Sequence, residues 1–162
     1  MTITVGIDTY LTIAQADAYW ARRNNSVWSA ATDAQKEKAL LESTQYLDNA
    51  YSFIGHHVDD NPLAWPRHGA KVKRGNFKGE YYSSEIIPPQ IKNACAELAL
   101  EALDANLRPT LDRGGAIKRE KVDVIEIEYM DFAPSQRSFT FVSILLKPLL
   151  ESGGSMRKLV RT

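Results

Sequence analysis

Residues 88 to 105, PPQIKNACAELALEALDA, carry the clearest periodic pattern in this chain of 162 residues and decide its fold class. The two prolines favour a helix start, because the amides they lack would have no partner in the first turn. Apolar side chains then recur at helical spacing along one face: Ile91, Ala94, Cys95, Leu98, Ala102 and Ala105. We therefore predict a helix that begins at Pro88 and is stopped by Arg108-Pro109.

Two more helices are predicted upstream by a repeated start signal. Thr12 and Thr32 are each followed three residues later by a glutamine, Gln15 and Gln35. This is the capping-box spacing, in which the threonine hydroxyl and the glutamine side chain each satisfy an amide of the first turn. With a short amphipathic segment near the C-terminus, the expected helices cover about 12 to 23, 33 to 50 and 139 to 147. These patterns indicate a mainly α protein, a small helical bundle.

One stretch in the C-terminal third has a strand pattern instead. Ile125, Ile127 and Tyr129 alternate with polar Glu126 and Glu128, which predicts a strand with one wet face. A single strand cannot satisfy its own backbone, so it needs a partner. The candidates are residues 2 to 5, part of the long central loop, or a strand from another copy.

The long central loop, about residues 52 to 87, shows neither helical nor strand period. Loops of this length in a compact domain are usually functional or disordered. Within it, Trp65-Pro66-Arg67 combines a large apolar surface, a fixed turn and a planar fork of donors, which is typical of an anchor on another surface. The alternative is that Trp65 simply closes the core beneath the loop.

Length and composition indicate one domain, residues 1 to 151, since 44% apolar residues suffice for a single core. Cys95 is the only cysteine, which excludes an internal disulfide or thiolate cluster and predicts a core thiol. The N-terminus has no basic segment followed by an apolar run, and no apolar run approaches about 18 residues. We expect a soluble protein made inside the cell, with no membrane partner.

The C-terminus, residues 152 to 162, is predicted to be a flexible docking tail. Ser152-Gly153-Gly154-Ser155 has the composition of a flexible linker. The residues that follow combine positive charge with apolar surface: Arg157, Lys158, Leu159, Val160 and Arg161. A frayed terminus is the alternative interpretation.

Charge is balanced overall but segregated along the chain. Twenty basic and 20 acidic side chains give a net charge of zero, which argues against a protein that coats nucleic acid. Between Asp60 and Glu80 all charged residues are basic: Arg67, Lys71, Lys73, Arg74 and Lys78. Acidic residues gather later: Glu120, Asp123, Glu126, Glu128 and Asp131. Such segregation suits copies that complement one another, or a basic face toward DNA.

Catalytic and metal-binding patterns are weak. His56 and His57 lie close to Asp59 and Asp60, but adjacent histidines point apart and no distant third ligand is indicated. The glycine pair Gly114-Gly115 lacks the lysine and hydroxyl residue of a phosphate-binding loop. We expect no enzyme activity, no cofactor and no metal.

Several segments together resemble the small head-tail adaptor, or head completion, proteins of tailed bacteriophages. They occur in the expected order over nearly the whole chain: YLTIAQADAY at 10 to 19, KALLESTQYLD at 38 to 48, LAWPR at 63 to 67, IP at 87 and 88, ACAELALEA at 94 to 102, KREKV at 118 to 122 and LLKPLL at 145 to 150. Many members of this family carry the label DnaT-like single-stranded-DNA-binding protein.

The resemblance implies a structural virion protein at the neck, made in the cytoplasm of the bacterial host. Its partners would be further copies of itself in a ring of about twelve, the portal protein, a downstream stopper or tail-completion protein, and the genomic duplex passing through the lumen without sequence recognition. Residues expected at the protein interfaces are Trp65, Pro66, Arg67, Glu126, Glu128, Arg157, Lys158, Leu159, Val160 and Arg161. Residues expected to face DNA are Lys71, Lys73, Arg74 and Lys78.

The alternative function takes the family label literally. Single-stranded-DNA-binding proteins combine cationic grooves with aromatic rings on which bases stack. The central loop interleaves such residues: Arg67, His68, Lys71, Lys73, Arg74 and Lys78 with Trp65, Phe77, Tyr81 and Tyr82. A replication protein of the phage is therefore the second hypothesis.

Overall fold

The computed structural model describes residues 3–73, 79–107, 119–122, 125–128 and 139–151. This part of the chain contains the helices α1 (Ile13–Ala21), α2 (Ser26–Ala30), α3 (Asp33–Ala50), α4 (Pro89–Asp104) and α5 (Thr140–Leu146), with a 3₁₀ turn at Lys147–Leu149. Its strands are β1 (His56–His57), β2 (Arg67–His68), β3 (Arg119–Val122) and β4 (Ile125–Glu128). The predicted mainly α fold is confirmed.

The helices begin where their local capping signals predict. The Thr12 hydroxyl accepts the amide of Gln15 at 3.1 Å while the Gln15 side chain accepts the amide of Thr12 at 3.1 Å. Thr32 and Gln35 repeat this reciprocal capping box at the start of α3. Each cap contributes about 1 kcal/mol, because it satisfies amides that have no intrahelical partner.

Helix α2 was missed by the sequence patterns. It has five residues, so it is too short to show a helical period. Its start is set by Asn25, whose side-chain oxygen accepts the amide of Trp28 at 2.9 Å. The Trp28 side chain is buried, and its indole nitrogen donates to Asp17 at 2.7 Å, which ties α2 to α1.

The core lies between α3 and α4, which pack against each other along their apolar faces. Leu40 and Leu47 of α3 and Leu98 of α4 are fully buried, and burying each leucine contributes about 1.5 to 3 kcal/mol. Cys95 is buried beside the hydroxyls of Ser43 and Thr44, at 3.1 and 3.5 Å from its sulfur, and burial raises the pKa of its thiol. The prediction of a core thiol is confirmed.

The partner of the predicted strand is none of the three candidates. Strand β4 pairs with β3, the segment immediately before it, in an antiparallel hairpin. Pairing neighbours in sequence is favoured because closing a short loop costs little entropy. The register sets Arg119 opposite Glu128 and Lys121 opposite Glu126, so acidic and basic positions are paired within one chain. Tyr129 lies outside the described residues.

The segment from Tyr51 to Pro88 follows the prediction of a long loop, with only the two-residue strands β1 and β2 within its described part. Its start is held against the end of the 3₁₀ turn: the amide of Ile54 donates to Leu149 at 2.9 Å, and the amide of Glu151 donates to Ser52 at 3.1 Å. The start of the loop, just after α3, is therefore hydrogen-bonded to the segment that follows α5.

Among the described residues, none of the helices combines the length and the apolar character that crossing a bilayer requires.

Candidate interaction site in the loop from Tyr51 to Pro88

A polar pair, the buried Tyr10 and the half-buried Asp48, holds the central loop. The Tyr10 hydroxyl donates a hydrogen bond to one carboxylate oxygen of Asp48, and the other carboxylate oxygen accepts the amide of Ala64 at 3.2 Å. The same hydroxyl accepts the amide of Trp65 at 3.3 Å. Two consecutive loop amides are thus bound by side chains from α3 and from the segment before α1.

Burial controls the protonation of this pair. Burial raises the pKa of Tyr10 far above its ordinary value of 10.0, and the Asp48 charge raises it further, so the hydroxyl keeps its proton and remains a donor. Burial also raises the pKa of Asp48 above 3.8, although the hydrogen bonds from Tyr10 and Ala64 and the charge of His57 act in the opposite direction. The pair is a structural element whose cost of burial is offset by its hydrogen bonds.

Trp65 is fully buried and packs edge to face with two other rings. Its ring centroid lies 5.8 Å from that of Phe53 and 6.0 Å from that of Tyr82, and its peptide bond to Pro66 is cis. Trp65 therefore closes the core beneath the loop, as one of the two interpretations predicted. Because the indole has no exposed surface, its own ring is not available to a partner in this structure. The interface role of the triplet stays a prediction.

The Arg67 guanidinium binds backbone carbonyls of its own loop. Its Nε donates to Ile54 at 2.9 Å and one terminal nitrogen donates to Gly55 at 2.8 Å, while the other reaches Ala64 at 3.4 Å. This is the planar, multidentate recognition for which arginine is suited and lysine is not. Arg67 joins the two sides of the β1–β2 pair.

Gly55 is required at the point where these two sides meet. Its φ is +82°, a conformation that side chains other than glycine's rarely adopt, and an added Cβ would lie 2.5 Å from the His68 carbonyl oxygen. The close approach lets Arg67 reach the Gly55 carbonyl.

The predicted DNA-facing basic residues separate into three groups. The Lys73 ammonium donates to the carbonyl of Leu150 at 2.5 Å, so it tethers the loop to the end of the 3₁₀ turn. Lys71 is exposed and forms an isolated antiparallel bridge with Tyr81. Arg74 and Lys78, together with Phe77, lie outside the described residues.

Two of the three histidines are cross-strand neighbours in the β1–β2 pair. His56 lies opposite His68 in the β1–β2 register, and the ring of His57 is hydrogen-bonded to the carbonyl of Leu63 at 3.0 Å. Across the described part of the chain, no three histidine, cysteine or acidic side chains gather in a way that could hold a metal ion.

The other predicted interface residues belong to the β3–β4 hairpin or lie outside the described residues. Glu126 and Glu128 belong to β4, whose backbone pairs with β3. The predicted docking tail, with Arg157, Lys158, Leu159, Val160 and Arg161, lies outside the described residues. The interface roles of these residues stay predictions.

Sequence reasoning missed Tyr10 and Asp48 as the residues that position the loop. Both fall in segments that carry the family resemblance, but no local pattern links two residues 38 positions apart. The one local signal was the acidic Asp48 directly after the apolar Leu47 near the end of the predicted helix.

Fold and loop together define a small, mainly helical protein whose central loop is held by Tyr10 and Asp48 from outside the loop and by Arg67 within it. A family model described as "Putative DnaT-like ssDNA binding protein" matches residues 2–162, and the chain belongs to this family. No curated protein and no solved structure matches the chain.

Replacing Tyr10 by phenylalanine tests the buried pair. The change leaves a buried amide at Trp65 and a carboxylate oxygen of Asp48 without their partner, and each loss costs about 1 to 3 kcal/mol. We expect the free energy of unfolding, measured by urea denaturation, to fall by about 2 to 6 kcal/mol. Tyr81→Phe makes the same change at an exposed ring and should cost less than about 0.5 kcal/mol. Equal losses in the two variants would contradict the assigned role.

Replacing Arg67 by lysine tests the carbonyl clamp. A lysine ammonium cannot donate to Ile54 and Gly55 in the geometry of the guanidinium fork, so we expect a loss of about 1 to 3 kcal/mol in the free energy of unfolding. Lys71→Arg, an exchange of the same two residue types at an exposed position, should leave stability unchanged. An Arg67→Lys variant as stable as the parent would show that the clamp contributes nothing.

Proposed function

We propose that this protein is a non-catalytic head-tail adaptor of a tailed bacteriophage, a subunit that assembles into a ring between the portal and the tail. The order of the resembling segments along the chain supports this proposal. So does the balanced net charge, because a subunit that binds mainly to other proteins needs no surplus of positive charge.

The observation that carries the proposal is that the aromatic and basic residues of the loop triplet are used within the chain, whereas large apolar side chains elsewhere are exposed. Trp65 and Arg67, which the adaptor hypothesis placed at an interface and the alternative hypothesis placed on single-stranded DNA, make their contacts within this chain. Large apolar side chains are exposed instead at Ile86, before α4, and at Phe141 and Ile144 on α5. Exposed apolar side chains of this size favour contact with other protein surfaces.

A ring requires two unlike surfaces on each subunit, because the contact between neighbours is heterologous. Ile86 and the α5 residues belong to different elements and supply two apolar contact points. Further contacts are proposed for the C-terminal segment and for the acidic positions Glu126 and Glu128. The proposed partners of the ring include a stopper or tail-completion protein. Of the two predicted DNA-facing residues that the structure describes, Lys73 is hydrogen-bonded to Leu150, and Lys71 is exposed. In the assembled neck, Lys71 would be available to the duplex.

The adaptor role is tested with a purified portal protein from the genome that encodes this chain. We expect the purified chain to associate with portal rings in analytical ultracentrifugation and to form a ring on them in electron microscopy. Ile86→Ser should weaken association by about tenfold or more, as expected for a buried apolar contact. Glu85→Gln, at the neighbouring exposed position, is the control. Failure of the parent chain to bind the portal would refute the adaptor role.

Single-stranded-DNA binding is the second candidate, favoured by the description of the family and by one surface feature. Lys71 and Tyr81 are bridge partners, and the Tyr81 side chain is 64% exposed. A base could stack on the Tyr81 ring while the Lys71 ammonium meets a phosphate, which is the combination that such proteins use.

An oligonucleotide titration separates the two candidates. The adaptor role predicts only non-specific affinity for oligo-dT, with a dissociation constant no tighter than about 1 to 100 µM, when binding is followed by fluorescence anisotropy. The second candidate predicts tighter binding that weakens with salt by about 0.7 log units per log unit of salt for each phosphate contacted. It also predicts loss of about ten- to a hundredfold in affinity for Tyr81→Ala and retention in Tyr81→Phe, because only the second variant keeps a stacking surface. That pattern would replace the adaptor role by the second candidate.

A further inference from the structure

An open groove of about 220 Å³ lies between α4 and the start of α5. Its lining residues are Glu97, Glu101, Phe139, Thr140, Phe141 and Val142. Phe141, 54% exposed, forms one side, and Ile144, 62% exposed, continues the apolar surface one turn along α5. The groove therefore combines apolar surface with negative charge.

The two glutamates lie one helical turn apart on the same face of α4. Glu97 accepts a hydrogen bond from the Tyr19 hydroxyl at 2.6 Å, which fixes its carboxylate at the groove. Like charges at this spacing destabilise a helix by a few tenths of a kcal/mol, so a cation bound between them is favoured. The chemistry that fits is a short peptide with basic and apolar side chains.

We propose that this groove binds the C-terminal segment of the same chain, residues 156 to 162. The segment, MRKLVRT, has three basic residues and no acidic one, together with the apolar side chains of Met156, Leu159 and Val160. Its charge is opposite to that of Glu97 and Glu101, and its apolar residues match the exposed surface of Phe141 and Ile144.

The length of the chain allows this contact without a second copy. The described structure ends at Glu151, directly after the 3₁₀ turn that follows α5. The distance from Glu151 back to the start of α5, along the length of α5 and the 3₁₀ turn, is about 16 Å. The 11 residues from 152 to 162 span about 36 Å when extended. A short tether raises the effective concentration of the segment at its own groove to the millimolar range, which favours the same chain over a neighbour.

The contact goes beyond the adaptor role and does not depend on it, because it concerns the isolated chain. Docking of the segment would cover the exposed apolar side chains of α5 before any partner is bound. In an adaptor, the portal would have to displace the segment from this groove before engaging it.

Paramagnetic relaxation in the full-length chain tests the contact. A spin label on Thr162→Cys reports proximity by broadening nearby amide signals, and Cys95 stays unlabelled because it is fully buried. We expect broadening at residues 97 to 101 and 140 to 144 that does not change on dilution. Amide signals of α3 serve as the check that each variant is folded.

Two charge reversals provide the matched comparison. Glu101→Lys should abolish the broadening, whereas Glu85→Lys, a reversal at another exposed glutamate, should leave it intact. Broadening that disappears on dilution would assign the groove to the tail of a second copy and overturn the proposal. Absence of broadening at these residues in the parent chain, or its persistence in Glu101→Lys, would also overturn it.

Discussion

The hydrogen-bonded pair of Tyr10 and Asp48 connects parts of the chain that are distant in sequence. Its atoms bind the amides of Ala64 and Trp65, and this fixes the point from which the Trp65 ring enters the core. A half-buried carboxylate such as that of Asp48 is costly unless its oxygens are hydrogen-bonded, and these bonds favour one arrangement of the loop. The Arg67 clamp and the β1–β2 pair build on the loop position that this pair sets.

This constraint changes what the loop can offer to partners. An aromatic, a proline and an arginine in a long loop are typical of an anchor, yet the two largest of these side chains are directed to the subunit itself. Surfaces for assembly are better sought at exposed apolar residues such as Ile86 and Phe141. Within the described part of the loop, Lys71 and Tyr81 are bridge partners whose side chains remain exposed.

Local sequence patterns predicted what depends on neighbouring residues. The capping boxes at Thr12 and Thr32 act over three residues, and the apolar face of α4 repeats every turn, so the positions of these helices follow from the sequence. The burial of Cys95 follows from the same periodicity. Helix α2 was missed because five residues are too few to display a helical period. Strand β3 was missed because three of its four residues are charged, so it shows no alternation of apolar and polar side chains.

The sequence by itself determined the mainly α fold, the starts of its principal helices and the absence of regular structure across most of the central loop. Only the tertiary structure decided between the two roles open to Trp65, because burial depends on Phe53 and Tyr82, which come from distant parts of the loop. The tertiary structure also decided that Arg67 binds the carbonyls of Ile54 and Gly55 and that Tyr10 pairs with Asp48. Periodicity reports which face of an element is apolar, whereas hydrogen bonds across 38 residues exist only once the chain has folded.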